Sequence, residues 1–117
     1  MLDSQNVGLV TRVAERFRAL GDENRIRILS MLDQSPANVT TLTRELNMNQ
    51  ASVSKHLGIL RQAGLVDFDR LGAQSIYRIA DTSVNDLCKL VCKGVWEHAR
   101  QQHEALHGPN QSTPTRS

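Results

Sequence analysis

Apolar residues recur along the start of the chain at spacings of three and four. Val7, Val10, Val13, Ala14, Phe17 and Leu20 share one face, which predicts an amphipathic helix over about residues 5–20. Gly21 interrupts it, and Asp22 has the side chain to cap a second helix. That helix carries Ile26, Ile28, Leu29, Met31 and Leu32, apolar on several sides, so other elements are expected to enclose it. Gln34-Ser35-Pro36-Ala37-Asn38 reads as a turn. A short helix over about residues 40–46 follows, with Leu42 and Leu46 inward and Thr40 or Thr41 as its cap. After Asn47-Met48-Asn49, a longer helix runs to Ala63 with Val53, Leu57 and Leu60 inward, Asn49 as cap and Gly64 as a left-handed stop.

Beyond Gly64 the period changes. Leu65–Asp69 and Ser75–Ile79 are short, β-branched and aromatic, and Leu71-Gly72-Ala73-Gln74 between them carries a turn glycine, so a hairpin is expected. A helical period returns over about residues 82–106 and stops at His107-Gly108-Pro109. The expected fold is mainly α with a β-hairpin wing, a winged helix-turn-helix. Residues 1–107 form its one domain, and the polar tail 108–117 is expected to be disordered.

A lone three-helix core in a chain of 117 residues buries only a moderate fraction of its surface, so a partner chain would help it. The 14 Lys and Arg against 12 Asp and Glu give a net charge of +2, too small to mark a nucleic-acid binder by itself. Where the charges sit says more. Between Gln50 and Ala63 stand Lys55 and Arg61 and no carboxylate. No apolar run reaches the length of a membrane span, and the start MLDSQNVG lacks the features of a secretory signal, so a cytoplasmic protein without membrane contact is expected.

On the fourth helix the inward Val53, Leu57 and Leu60 leave Gln50, Ala51, Ser54, Lys55 and Arg61 outward, with Ser52 on a flank. Short side chains let a helix axis sink into a major groove, where Gln bonds an adenine edge, Ser reaches a base or phosphate, and Lys neutralises backbone charge. Arg70, Gln74 and Arg78 in the hairpin are candidates for the flanking phosphates or the minor groove. His56, beside Val53 and Leu60 on the helical wheel, reads as a packed, hydrogen-bonded histidine rather than a base reader. Double-stranded DNA is the expected partner. An enzyme is disfavoured, because the chain has no Gly-rich phosphate loop or nucleophile elbow, and its Cys and His lie at the wrong helical phases to pair.

Two segments carry a family resemblance. Ala19-Leu20-Gly21-Asp22-Glu23-Asn24-Arg25-Ile26-Arg27-Ile28-Leu29 resembles the opening motif of the ArsR/SmtB repressors, and Leu46–Leu57 with Leu60–Val66 resembles their recognition segment. The resemblance spans about residues 7–100. It implies a homodimer built from the first and last helices, an inverted-repeat operator, repression of genes nearby, and in many members release by a metal, metalloid or oxidant. Val10, Phe17, Val84, Val91, Val95 and Trp96 are then the candidate dimer-interface residues.

The family's sensing patterns fit this chain poorly. Leu42-Thr43-Arg44-Glu45 stands where the arsenic-responsive pattern has its cysteines. On the last helix Asp86 matches the zinc-type pattern, but Cys88 replaces its first His, and Ala99 and Gln102 stand at the distal pair. What remains is Cys88 and Cys92, about 40° apart on a helical wheel and central to an apolar stripe with Val84, Val91 and Val95. One reading makes them small packing residues. Another makes them soft ligands for arsenite or zinc at a site shared between subunits, with His103 of the facing chain as a further donor. A third is a redox switch; an intrahelical disulfide is poorly disposed at this spacing, so oxidation would link the chains or form a sulfenate. With the cysteines as packing residues, the protein would be a redox-responsive or constitutive regulator needing no metal.

Overall fold

The computed structural model describes residues 6–107, and the expected tail lies outside them. The elements run α1 (Val7–Leu20), α2 (Glu23–Gln34), α3 (Val39–Leu46), α4 (Gln50–Gln62), β1 (Val66–Leu71), β2 (Gln74–Ile79) and α5 (Thr82–His107). Helices α1 to α4 and the hairpin form one compact unit; α5 forms a second, and the division falls after Thr82.

In the first unit α2 is the central element, touching α1, α3, α4 and β2. Its Ile28, Leu29 and Leu32 are buried with Leu42 and Leu46 of α3, Val53, Leu57 and Leu60 of α4, and Leu65 and Val66. Ile26 departs from the sequence expectation, being 45% exposed. Asp22 caps α2, its carboxylate accepting from the backbone N–H of Asn24 and Arg25. That pairing with the Arg25 N–H holds the Asp22 carboxyl below the usual carboxylate range.

The start of α3 differs from the sequence reading. Asn38, not a threonine, is its cap and accepts from Thr41 N at 2.8 Å. The preceding Ala37 exchanges two backbone hydrogen bonds with Tyr77 of β2, at 3.0 and 2.8 Å. This bridge fixes the chain one residue early, so Asn38 arrives in the extended conformation a cap needs. Asn47 closes α3 in the left-handed region (φ 53°), a conformation asparagine tolerates, and the three-residue turn leads into α4.

Asn49 caps α4, accepting from Ser52 N at 2.7 Å, and Gly64 follows its end at φ 81° as the sequence predicts. The hairpin is tighter than predicted. Leu71 pairs with Gln74, leaving Gly72 and Ala73 as a two-residue loop, and Gly72 takes the positive φ (64°) that its first position favours. The second unit is the single long helix α5, on which Arg100 pairs with Glu97 and Glu104 at 3.1 Å each.

Candidate nucleic-acid interface

The outward face of α4 is as the sequence predicts. Gln50, Ala51, Ser54 and Lys55 are exposed and Ser52 is half-buried, while Val53, Leu57 and Leu60 are sealed in the core. No carboxylate among the described residues pairs with Lys55. The sequence reading missed Gly58. It is exposed one turn beyond Ser54, and a Cβ there would meet nothing within 4 Å. Its signal was the spacing: Ala51, Ser54 and Gly58 follow the three-and-four rhythm of one face.

Arg61 is exposed and continues that face one turn beyond Gly58, but it is already engaged. Its Nε donates to Asp67 at 3.2 Å, and its guanidinium carbon lies 4.4 Å from the centre of the Phe68 ring. The physical reason is proximity: β1 starts directly after the turn and brings a carboxylate and an aromatic face within reach. The Phe68 N–H, followed by Arg61, holds the Asp67 carboxyl below its usual range. Arg61 therefore fastens the end of α4 to the wing.

The wing residues also separate. Cross-strand partners share a face, so Arg70 and Ser75 lie on one side with Phe68 and Tyr77, whereas Gln74 and Arg78 lie on the other. Arg70 is exposed and donates to Ser75 at 3.3 Å. Arg78 donates to Asp69 at 2.9 Å, and that carboxylate raises the affinity of the guanidinium for its proton. Gln74 accepts from Asn38 Nδ2 at 3.1 Å, which ties the wing tip to the cap of α3. Lys55 and Arg70 remain the cations of this surface not neutralised by a carboxylate among the described residues.

His56 is packed and hydrogen-bonded as expected, its Nδ1 lying 3.2 Å from Arg25 Nη1. On α1, Val10 and Phe17 are exposed, as are Val91 and Val95 on α5, while Trp96 is half-buried. Val84, expected on the interface with them, is instead buried at 6% exposure. Cys88 is half-buried and Cys92 exposed, and burial pushes the Cys88 thiol up. No group of three or more His, Cys, Asp or Glu side chains able to hold a metal occurs among the described residues, so neither the cysteines nor His103 complete a site within one chain.

Residues 22–67 match the family model described as "Bacterial regulatory protein, arsR family". Over 86 residues the chain is 40% identical to the HTH-type transcriptional regulator NmtR of Mycobacterium tuberculosis, covering 74% of this chain and 69% of that one. The chain belongs to the arsR family. A second arsR relative, the transcriptional repressor SmtB homolog of Synechocystis, is 34% identical over 86 residues, 74% of this chain and 65% of its own. Among solved structures, the homodimeric winged helix-turn-helix DNA-binding domain Mb0332 of Mycobacterium bovis superposes with a TM-score of 0.77. The identity is 31%, over 86% of this chain and 93% of that one. This arsR-family chain is thus a winged helix-turn-helix regulator and not an enzyme.

Proposed function

We propose that this arsR-family chain is a transcriptional repressor that binds an inverted-repeat operator as a homodimer and acts in the cytoplasm. The observation that carries the reading is the outer face of α4, where small and polar side chains and Lys55 stand exposed with no carboxylate among them. Gln50, Ser52 and Ser54 meet base edges or phosphates in the major groove, and Lys55 meets the backbone. At the wing Arg70 is the phosphate contact, while Gln74 and Arg78 reach DNA only by exchanging their present partners. Arg61 sets the wing against α4. The exposed apolar residues of α1 and α5 supply the dimer surface, in keeping with the homodimeric Mb0332 domain.

The test is fluorescence anisotropy on duplexes from the DNA upstream of the gene, run against salt. Binding that weakens steeply with salt, shifts in sequence preference with Gln50→Ala or Ser54→Ala, and weakens on all sequences with Lys55→Ala is expected. Indifference to all three substitutions would overturn the docking face.

For the effector we place Cys88 and Cys92 of both subunits in one shared site for a thiophilic metal or metalloid such as zinc or arsenite, with the partner chain's copy of His103 as an added donor. The effector lowers DNA affinity by favouring another arrangement of the dimer. One observation supports a second reading, in which the thiols only fill space: Cys88 is half-buried. Titrating the DNA complex with zinc, arsenite and peroxide, for the wild type and for Cys88→Ser/Cys92→Ser, separates the two. Release in the wild type alone establishes the sensor, and equal binding throughout establishes packing.

A further inference from the structure

Arg16 belongs to the third turn of α1, yet its guanidinium lies against the far end of α4. Nε donates to the carbonyl of Ala63 at 3.2 Å, and Nη1 pairs with the carboxylate of Asp81. Nη2 lies so close to Gly64 that a Cβ there would stand 3.1 Å from it. Ala63 caps α4, so the positive charge of Arg16 meets a carbonyl at the negative end of that helix. Gly64 thus has two duties, a positive φ and room for the guanidinium. Polar contacts hold α4 elsewhere as well: Arg25 of α2 reaches His56, and Arg61 reaches the wing. Arg25 bridges the two helices from α2, whereas Arg16 reaches the end of α4 directly from α1.

The geometry points to Arg16 as the positioning residue that fixes the recognition helix against dimer helix α1, and so sets the spacing between the two recognition helices on DNA. This rests on the DNA-binding homodimer proposed above. The lever is long. Helix α4 spans roughly 20 Å, so a tilt of about 10° about its pinned end carries the base-reading end through about 3 Å, close to one base-pair step. Half-sites of a dimeric helix-turn-helix lie about 34 Å apart, so a slack joint at Ala63 loosens the match to that separation. A guanidinium suits the task because its planar fork meets the carbonyl and the carboxylate in fixed directions, which the point charge of a lysine does not.

The test uses the full chain and an operator selected from randomised duplexes, with variants of that operator whose half-sites are moved by one base pair. Anisotropy is read for wild type, Arg16→Gln, Arg16→Lys and Asp81→Asn, with melting temperature, sedimentation and binding to non-specific DNA alongside. Arg16→Gln is expected to bind the selected operator about tenfold more weakly, to bind non-specific DNA as the wild type does, and to discriminate less between spacings. Arg16→Lys and Asp81→Asn should fall between, and Arg16→Lys carries the test if Arg16→Gln does not fold. Equal losses on specific and non-specific DNA, or an unchanged spacing preference in both Arg16 variants, would overturn the proposal while wild-type operator binding upheld the reading beneath it. Failure of the wild type to select any operator would remove both.

Discussion

Nη1 of Arg25 lies 3.2 Å from Nδ1 of His56, whereas the carboxylate of Asp22 stands 4.0 Å from the same nitrogen. A guanidinium has no acceptor, so at hydrogen-bond distance it is the donor, and Nδ1 must offer a lone pair with the ring proton on Nε2. The same guanidinium donates through Nε to the carbonyl of Ala19 at 2.6 Å, so one side chain closes the end of α1 and seats the middle of α4. Both side chains are largely shielded, at 14% and 13% exposure.

His56→Leu should therefore cost more than its packing would suggest. It removes the acceptor from a shielded cation, and a loss of about 1 to 2 kcal/mol is expected in urea unfolding. His56→Gln, whose amide oxygen can accept in place of Nδ1, should recover much of that loss. A glutamine variant no more stable than the leucine variant would show that the ring acts by shape alone.

Gly58 offers a test in which stability and binding move in opposite directions. Alanine in a helix interior is favoured over glycine by about 1 kcal/mol, and at Gly58 the added methyl meets open space, so Gly58→Ala should raise the melting temperature. If this stretch of backbone comes close to DNA, the same methyl should weaken operator binding. Gains in both quantities would show that the docked face ends before Gly58.

How much was legible in the sequence follows from the range of the forces involved. The cap at Asn49, the three-residue turn and the stop at Gly64 are local, and each was readable from a few neighbouring residues. The cap of α3 was misassigned because Asn38, Thr40 and Thr41 are all competent, and the choice is made by the bridge from Ala37 to Tyr77, forty residues away. The arginines were harder. Arg61, Arg70 and Arg78 look alike in sequence, but hairpin register puts Arg70 on one face and Arg78 on the other beside Asp69, and the early start of β1 gives Arg61 both Asp67 and Phe68. Val84 shared a helical stripe with Val91 and Val95, and only the folded chain separates the buried residue from the exposed ones.

Acid should act on α2 through its cap. The Asp22 carboxyl is held below its ordinary value of 3.8 because the ionised form accepts the Arg25 N–H. A depressed folded value contributes stability above pH 3.8, and that contribution is lost as pH falls through the lower folded value. Asp22→Asn keeps an acceptor oxygen but cannot titrate, so it should melt near the wild type at neutral pH and lose less on acidification. Asp22→Ala should melt lower at both. Parallel acid curves for Asp22→Asn and wild type would show that the carboxyl does not couple to folding.

The proposed thiol site has a pH dependence of its own. Cysteine binds metal as thiolate, so capture releases protons and strengthens as pH rises. Burial pushes the Cys88 thiol up, which moves the rising limb towards alkaline pH compared with an exposed cysteine. Cadmium, a spectroscopic stand-in for zinc, reports each thiolate bond through its ultraviolet charge-transfer band. Titrations from neutral to mildly alkaline pH should show affinity rising throughout, with the band lost in Cys88→Ser/Cys92→Ser. Cys92→Ser alone isolates the half-buried thiol, so its residual band should strengthen towards the alkaline end. A wild-type band of constant affinity across this range would mean that the thiols are already ionised, against the burial of Cys88. No band at any pH would leave the two cysteines as packing and move the effector site elsewhere in the dimer.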